Sequence, residues 1–553
     1  MAHSCIQLND LPDEILVIIF KKLNNIILLY SLMGINKRLD KILHDSIFTS
    51  NLTLLNYSSY DSIYSLSNPM LDRFCLQILP KINNKIKSFN LESSSMKRIL
   101  LSANYPNLFE LGIFNIEKEA ALCLVTHQNS LIHMFKNQIS SLIIGTKNRL
   151  GVSHDVNTLI FTNIFSVFNN LKYFNFDPSS ICYQAISFNN SSPPIFSSTT
   201  LLELHVKADA IDDCLYLLDG RFNQLRSFHV HILMPFTYSM LQLNTEKLPN
   251  LKNFSLSSCS PKIFFYDEIV IPLLHRMLNL EQLNLYFYCS RQKTFVDGND
   301  LRTNILNHLP RLKSFAFNIR SSIVSVNQID LPSNDYIQHT FREFKYKKIL
   351  SCVDYFPDSN SGECYICSYP FTMTCYERIT NNFSGQVFQS VCEVSLFDER
   401  SFEHEFFLRI AQSFPFMKKL CVINDKPQND KQCRKWKDNN NNLLIIEYPY
   451  LIHLDLDQAH HDYVEQFLLD SKMSLPINVE LHVMYESLKK VNGDHVHPQE
   501  PEKVEIRTFK QILKERAINE VTPIPKIYDE ESAKANLTTS SIAVLPSERE
   551  MST

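Results

Sequence analysis

Cys364-Tyr365-Ile366-Cys367, with Cys352 and Cys375 nearby, has the spacing of half a zinc knuckle. A structural zinc site needs four thiolate or imidazole ligands that converge as a tetrahedron. No second Cys-x-x-Cys follows, bulky Tyr-Ile fills the place of a tight turn, and Tyr365, Cys367 and Tyr369 alternate as strand residues do. The spacing therefore predicts buried thiols and no metal. His460-His461-Asp462 sets three ligating side chains in a row, but neighbours on one segment diverge, and a solvated turn is expected. Glu403-His404-Glu405 lacks the His four residues later that a zinc-peptidase helix requires. Lys431–Lys437, with Arg434, Lys435 and Trp436, sits among Asp and Asn and reads as an exposed loop. Only nine glycines occur, and neither a phosphate-binding glycine loop nor a Gly-x-Ser-x-Gly elbow is among their contexts. The chain reads as a non-enzyme without a cofactor.

A repeat places a different set of polar residues. An aromatic residue or Leu is followed by Pro, then by Leu-x-x-Φ-x-Φ, where Φ is large and apolar. Clear copies are Tyr105-Pro106-Asn107-Leu108 with Leu111 and Ile113, Leu248-Pro249-Asn250-Leu251 with Phe254 and Leu256, and Leu309-Pro310-Arg311-Leu312 with Phe315 and Phe317. Phe414-Pro415 with Leu420 and Val422, and Tyr448-Pro449 with Leu454 and Leu456, continue it. Weaker copies start at Ile86, Ile139, Leu171, Leu201, Leu225, Leu280 and Phe341, and a last one ends at Leu481 and Val483. Starts lie roughly 22 to 34 residues apart, a period that suits leucine-rich repeats. Φ-x-Φ predicts a short strand with alternate residues facing the core. Ile269–Met277, Asp300–His308, Phe402–Ser413 and Asp462–Asp470 carry apolar residues at helical spacing and predict the returns. Leu251-x-x-Phe254-x-Leu256-x-x-Cys259 resembles the cysteine-containing repeat of F-box proteins.

The expected fold class is thus α/β: an irregular leucine-rich-repeat solenoid over 51–490, with parallel strands inside and helices outside. An ordinary α/β domain with similar strands is the alternative. Residues 321–381 fit the repeat poorly and predict either an insertion or strands that break the stack. Beyond 491 the composition turns to Pro, Glu, Lys and Thr, and 491–553 reads as a mobile polar tail holding one amphipathic stretch, Phe509, Ile512, Leu513 and Ile518. If Φ residues face the core, their neighbours line the concave face. His205, Lys207, His229, His231, Asn284, Tyr286, Asn318, His453, Asp455 and Asp457 then form a candidate substrate-binding surface, pH-sensitive through its histidines.

Ahead of the repeats, Pro12, Asp13 and Glu14 start a helix whose apolar residues Leu11, Ile15, Leu16, Val17, Ile18, Ile19, Phe20 and Leu23 cover nearly its whole circumference. A single core contact does not consume that much apolar surface. Two more helices are expected over Ile26–Met33 and Lys37–Phe48, with Gly34 closing the second and Asn36 capping the third. This unit, residues 5–50, resembles an F-box: Leu11-Pro12, Glu14, Ile15-Leu16 and Ile19-Phe20 match its first helix, and Leu28, Leu29, Leu32, Ile35 and Arg38 its later positions. Leu39 and Asn36 stand where many F-boxes carry Trp and Cys.

The resemblance implies a substrate-recognition subunit of an SCF-type cullin ubiquitin ligase. Leu11, Pro12, Glu14, Ile15, Leu16, Ile19, Phe20, Leu28 and Leu32 would bind a Skp-type adaptor. Through that adaptor the chain would reach the cullin and the ubiquitin-conjugating enzyme, while the repeats hold a protein substrate. The alternative is a ubiquitin-independent repeat scaffold whose N-terminal helices cap the solenoid. A net charge of −4 offers no footprint for nucleic acid. No apolar run is long enough for a membrane span, and no secretory signal is visible at Met1–Cys5. A cytoplasmic or nuclear location with reduced cysteines is expected.

Overall fold

The computed structural model describes residues 11–57, 63–117, 121–122, 134–146, 154–176, 184–189, 195–234, 244–258, 266–324, 331–344, 348–370, 373–429, 445–469, 473–476, 478–484, 487–488 and 490. The tail expected over 491–553, the basic loop 431–437, Cys259 and residues 5–10 lie outside the described residues. The chain divides into two compact units, Met1–Phe371 and Thr372–Thr553, where the sequence pattern suggests one body from 51 to 490. Among the described residues no helix is long and apolar enough to cross a membrane.

The first unit begins with four short helices, α1 (Asp13–Phe20), α2 (Asn25–Leu32), α3 (Lys37–Leu43) and α4 (Ser46–Thr49). Pro12 is the N-cap of α1, and Asp13 and Glu14 place charge in its first turn, at the positive end of the helix dipole. The Asn24 side chain accepts the Ile26 and Ile27 N–H groups to start α2. Gly34 then takes a left-handed φ of 87°, which a side chain would resist. Asn36 Oδ1 accepts the Leu39 N–H at 2.8 Å and caps α3. The third stretch, expected as one helix, is two because Asp45 Oδ1 accepts the Ile47 N–H at 2.9 Å and caps a new start.

A 14-stranded sheet follows. Its strands are β1 (Asn51–Tyr57), β2 (Ile63–Ser65), β3 (Ser88–Glu92), β4 (Glu110–Ile116), β5 (Ser141–Thr146), β6 (Tyr173–Asn175), β7 (Ala185–Ile186), β8 (Glu203–Ala210), β9 (Ser227–Met234), β10 (Asn253–Ser257), β11 (Gln282–Arg291), β12 (Ser314–Val324), β13 (Lys348–Phe356) and β14 (Ser361–Tyr369). They lie in the order β2-β1-β3-β4-β5-β6-β8-β9-β10-β11-β12-β14-β13, with β7 beside β8. Every pairing from β1–β3 to β11–β12 is parallel. The same hydrogen bond recurs along the run of parallel strands: the carbonyl just before one strand accepts two consecutive N–H groups of the next. Lys172 O takes Leu202 and Glu203, Leu202 O takes Arg226 and Ser227, Arg226 O takes Lys252 and Asn253, and Lys252 O takes Glu281 and Gln282.

The Φ residues face the core. Leu111, Ile113, Leu204, Val206, Phe228, Val230, Phe254, Leu256, Leu283 and Leu285 are all buried in one apolar cluster. Helices over Ser93–Leu100, His154–Val167, Ile211–Leu217 and Gly298–Asn304 supply intervening segments. The Ile269–Met277 return is a π turn, Tyr266–Val270, continued by the α-helix Ile271–Leu274. The ill-fitting stretch after 321 ends the parallel run, because β14 pairs antiparallel with both β12 and β13. The strand described after Phe341, where a weak repeat copy is expected to start, is β13, which pairs antiparallel rather than parallel. Phe341 itself closes the helix Asn334–Thr340 and packs on Phe317 and Phe344.

The second unit holds a parallel five-stranded sheet, β15 (Cys375–Ile379), β16 (Glu393–Phe397), β17 (Lys419–Ile423), β19 (His453–Asp455) and β21 (Glu480–His482), and a pair, β18 (Ile446–Glu447) and β20 (Met473–Ser474). Helices His404–Ser413 and His461–Leu469 occupy two of the predicted returns. Both units are mixed α/β with mostly parallel strands.

Candidate functional site

Two surfaces gather the residues that the sequence singles out. On α1 the buried side is Leu16 and Phe20, the latter edge-on to Phe48 with ring centroids 6.3 Å apart. Leu28 of α2 is buried as well, and Leu11 and Leu32 pack partly buried against the same cluster. Leu16, Phe20 and Leu28 are therefore core residues in this structure rather than part of an open docking face, because the body side of the helices consumes them. Pro12, Glu14, Ile15 and Ile19 are exposed. Three exposed residues outside the expected site, Ile18 at 58%, Leu23 at 50% and Ile27 at 59%, join Ile15 at 42% and Ile19 at 37%. Their signal in the sequence is the same surplus of apolar residues around the helix. Arg38 ties α3 to the start of α1, donating through Nε to Asp13 Oδ1 at 2.7 Å and through Nη2 to the Leu11 carbonyl. That pair is solvent-exposed and contributes little by itself.

The other surface is the face of the large sheet opposite the Φ residues. Register arranges it in rows. Tyr173, Glu203, Ser227, Asn253, Gln282 and Ser314 form one, and Asn175, His205, His229, Ser255, Asn284 and Ala316 the next. Lys207, His231, Ser257, Tyr286 and Asn318 form a third. His205, His229, His231 and Asn284 reach the surface, but Lys207, Tyr286 and Asn318 are buried. Parity placed these three on the right face without foreseeing their cover. His453, Asp455 and Asp457 belong to the second unit, on and just after β19, so the ten candidates are divided between the two units. There the Asp457 N–H donates to Asp455 Oδ1 at 3.1 Å, and His453 Nδ1 lies 2.8 Å from Glu480 Oε2.

The histidines are ordered. The His205 and His229 rings stack with centroids 4.2 Å apart and planes 6° from parallel. His205 Nε2 lies 2.7 Å from Glu203 Oε1, His229 Nε2 lies 3.0 Å from Ser227 Oγ, and His231 Nδ1 lies 2.9 Å from Ser257 Oγ. Burial, then the neighbouring His205, hold His229 down to about 4, and burial with Lys207 does the same for His231. Both are neutral imidazoles at neutral pH. Their charge change lies well below the range that the sequence suggested for a sensor.

No protein-family model matches the chain, and no curated protein matches it either.

Further along the same face the polar groups are internal. Arg320 Nη1 donates to Glu363 Oε2 at 3.0 Å, and the Tyr288 hydroxyl donates to Glu363 Oε1 at 3.1 Å. Burial opposes the Arg320 charge, but Glu363 and Asp354 raise its pKa above the ordinary value. This pair fastens the antiparallel end of the sheet. Cys364 and Cys367 lie on β14, whose unbroken pairing puts residues three apart on opposite faces. Burial pushes Cys364 up and Cys367 up to about 12, so both are thiols. His460, His461 and Asp462 do not diverge as expected. Their ligating atoms lie within 4.8 Å of one another. They hold the start of the helix His461–Leu469: the Asp462 N–H donates to His460 Nδ1 at 3.3 Å, and Asp462 Oδ2 accepts the Gln428 N–H at 3.0 Å.

Proposed function

We propose that this chain is the substrate-recognition subunit of an SCF-type cullin ubiquitin ligase. The helices α1–α4 serve as an F-box-like unit that docks a Skp-type adaptor, and the strand repeats form an irregular leucine-rich-repeat body that holds a client protein. The observation that carries the reading is the band of exposed Ile15, Ile18, Ile19, Leu23 and Ile27 on α1, the turn after it and α2. A contiguous apolar patch on a folded chain marks an interaction site. Desolvated apolar anchors at the centre of an interface carry most of its energy.

In this role the chain supplies proximity between client and conjugating enzyme, and no catalytic group or cofactor of its own. It acts in the cytoplasm or nucleus. The partly exposed row of His205, His229 and Asn284 is where a client would be read. The test uses exposed residues. Ile15→Ala with Ile19→Ala is expected to abolish co-purification of the adaptor while changing stability by only about 0.5 kcal/mol. Leu16→Ala would be a poor substitute, because emptying a core position costs about 2–5 kcal/mol. Undiminished adaptor capture by the Ile15/Ile19 variant refutes the reading.

The scaffold reading has its own support, in which the helices chiefly close the end of the sheet. Arg73 Nη2 donates to the Met33 carbonyl at 3.0 Å, Lys85 Nζ to the His44 carbonyl at 2.6 Å, and the Lys87 N–H to the Ser50 carbonyl at 2.8 Å. Under that reading the Ile15/Ile19 variant keeps all its partners.

A further inference from the structure

We propose that Glu203, His205 and His229 form a binding site for a zinc-class divalent cation on the open face of the large sheet. One carboxylate oxygen and one ring nitrogen of each imidazole lie within 4.8 Å of one another, and all three residues are half-buried. The backbone explains the convergence. Glu203 and His205 are two apart on β8 and share a face, and His229 stands in register beside His205 on β9.

The platform is rigid. β8 is paired on both sides, Glu203 with Tyr173 and Ser227, and His205 with Asn175 and His229. Tyr173 adds a wall, its ring centroid 5.4 Å from that of His205. A site on paired strands holds its ligands more accurately than one on a loop. Two imidazoles and a carboxylate are the donor set that zinc takes in three-ligand sites, with water completing the tetrahedron. Zinc–ligand bonds of about 2.0–2.2 Å require donors about 3.3 Å apart, so the two rings, now 6° from parallel, must turn out of their stack about the side-chain torsions for both nitrogens to face one ion. The Glu203 oxygen and His205 nitrogen, now 2.7 Å apart, would open slightly to take the ion between them. Ser227 Oγ lies 3.0 Å from His229 Nε2, so the ion takes that ring either at Nδ1 or by displacing this contact.

Among the described residues the other cluster of this kind, His460, His461 and Asp462, is engaged in capping its helix and is the internal comparison. The experiment is a zinc titration of the full chain after chelator treatment, followed by calorimetry, with cobalt substitution to reveal tetrahedral coordination. The wild-type chain is expected to take up one equivalent more than the His205→Gln/His229→Gln variant. Zinc should also raise the melting temperature of the wild type, reversibly with chelator, and leave that of the double variant unmoved. Polar replacements at half-buried positions keep the variant folded, which its melting curve in chelator verifies. Should the double variant not fold, Glu203→Gln alone must lower the affinity of the extra site. Equal stoichiometry in wild type and variant, or no saturable uptake by the wild type, overturns the proposal.

Discussion

Asp213 shows how one residue's surroundings set a pH response. Its Oδ1 accepts the Phe188 N–H at 2.5 Å and its Oδ2 the Ala210 N–H at 2.8 Å, so the carboxyl holds two backbone segments together. Those donors favour the charged form. Burial outweighs them, and with Asp209 and Asp212 nearby the group is pushed up from 3.8 to about 7. The folded chain therefore binds a proton that the unfolded chain has released between these two values. The group's contribution to stability is fully present below 3.8, falls as pH rises, and is lost once pH passes about 7. Asp213→Asn removes the titration and leaves one N–H facing an amide donor. We expect the wild type's margin of melting temperature over this variant to shrink from pH 4 to pH 7, since Asn does not titrate across that interval. A margin that grows with pH would show that the N–H bonds, not burial, govern the carboxyl.

At the scale of elements, neighbouring repeats are joined by side chains as well as by strand pairing. The Asn directly before the first Leu of a repeat donates to a carbonyl one repeat back: Asn107 Nδ2 to Asn84 O, Asn170 Nδ2 to Asn137 O at 3.0 Å, Asn250 Nδ2 to Asn223 O at 2.8 Å, and Asn279 Nδ2 to Pro249 O at 2.8 Å. Because these bonds are exposed, Asn250→Ala should cost about 1 kcal/mol and leave partner binding untouched, as a denaturant midpoint will measure. Strand positions were legible in the sequence because Φ-x-Φ has a period that only a strand uses, and parity named the correct face for Lys207, His229 and Tyr286. Three things were not legible. Strand alternation sets the face of Lys207 but not what lies over it, and Lys207 is buried. The third N-terminal helix splits because the Asp45 cap competes with continuation. Phe341 looks like a repeat start, but the strand described after it pairs antiparallel, and its ring serves the Phe317 and Phe344 cluster. Likewise, an all-round apolar helix announces surplus surface without saying which side the body takes, so Leu16 and Phe20 could not be told from Ile15 and Ile19.

For the whole molecule, the two readings of the N-terminal helices differ over whether residues 1–50 are removable. The first unit's core answers part of that question by its continuity. Leu16, Phe20, Leu29, Leu43 and Phe48 belong to the same buried cluster as Leu52, Leu54, Phe74 and Ile78, which belong to the body. Removing residues 1–50 would bare those body side chains, at roughly 1.5–3 kcal/mol for each that becomes fully exposed. A typical domain's net stability is about 5–15 kcal/mol, so the loss is comparable with the whole. We expect the truncated chain to bind an apolar dye, to lose cooperative melting in its first unit, and to aggregate. That outcome alone does not make the helices a mere cap, because a repeat array needs a closed end whether or not its cap also docks. The capping role and the proposed docking role would use different sides of α1, Leu16 and Phe20 inward and Ile15, Ile18 and Ile19 outward. Outward substitutions therefore separate them where truncation does not. A truncated chain that melts as sharply as the intact one would mean that the helices contribute nothing to the body and that their inward contacts are dispensable.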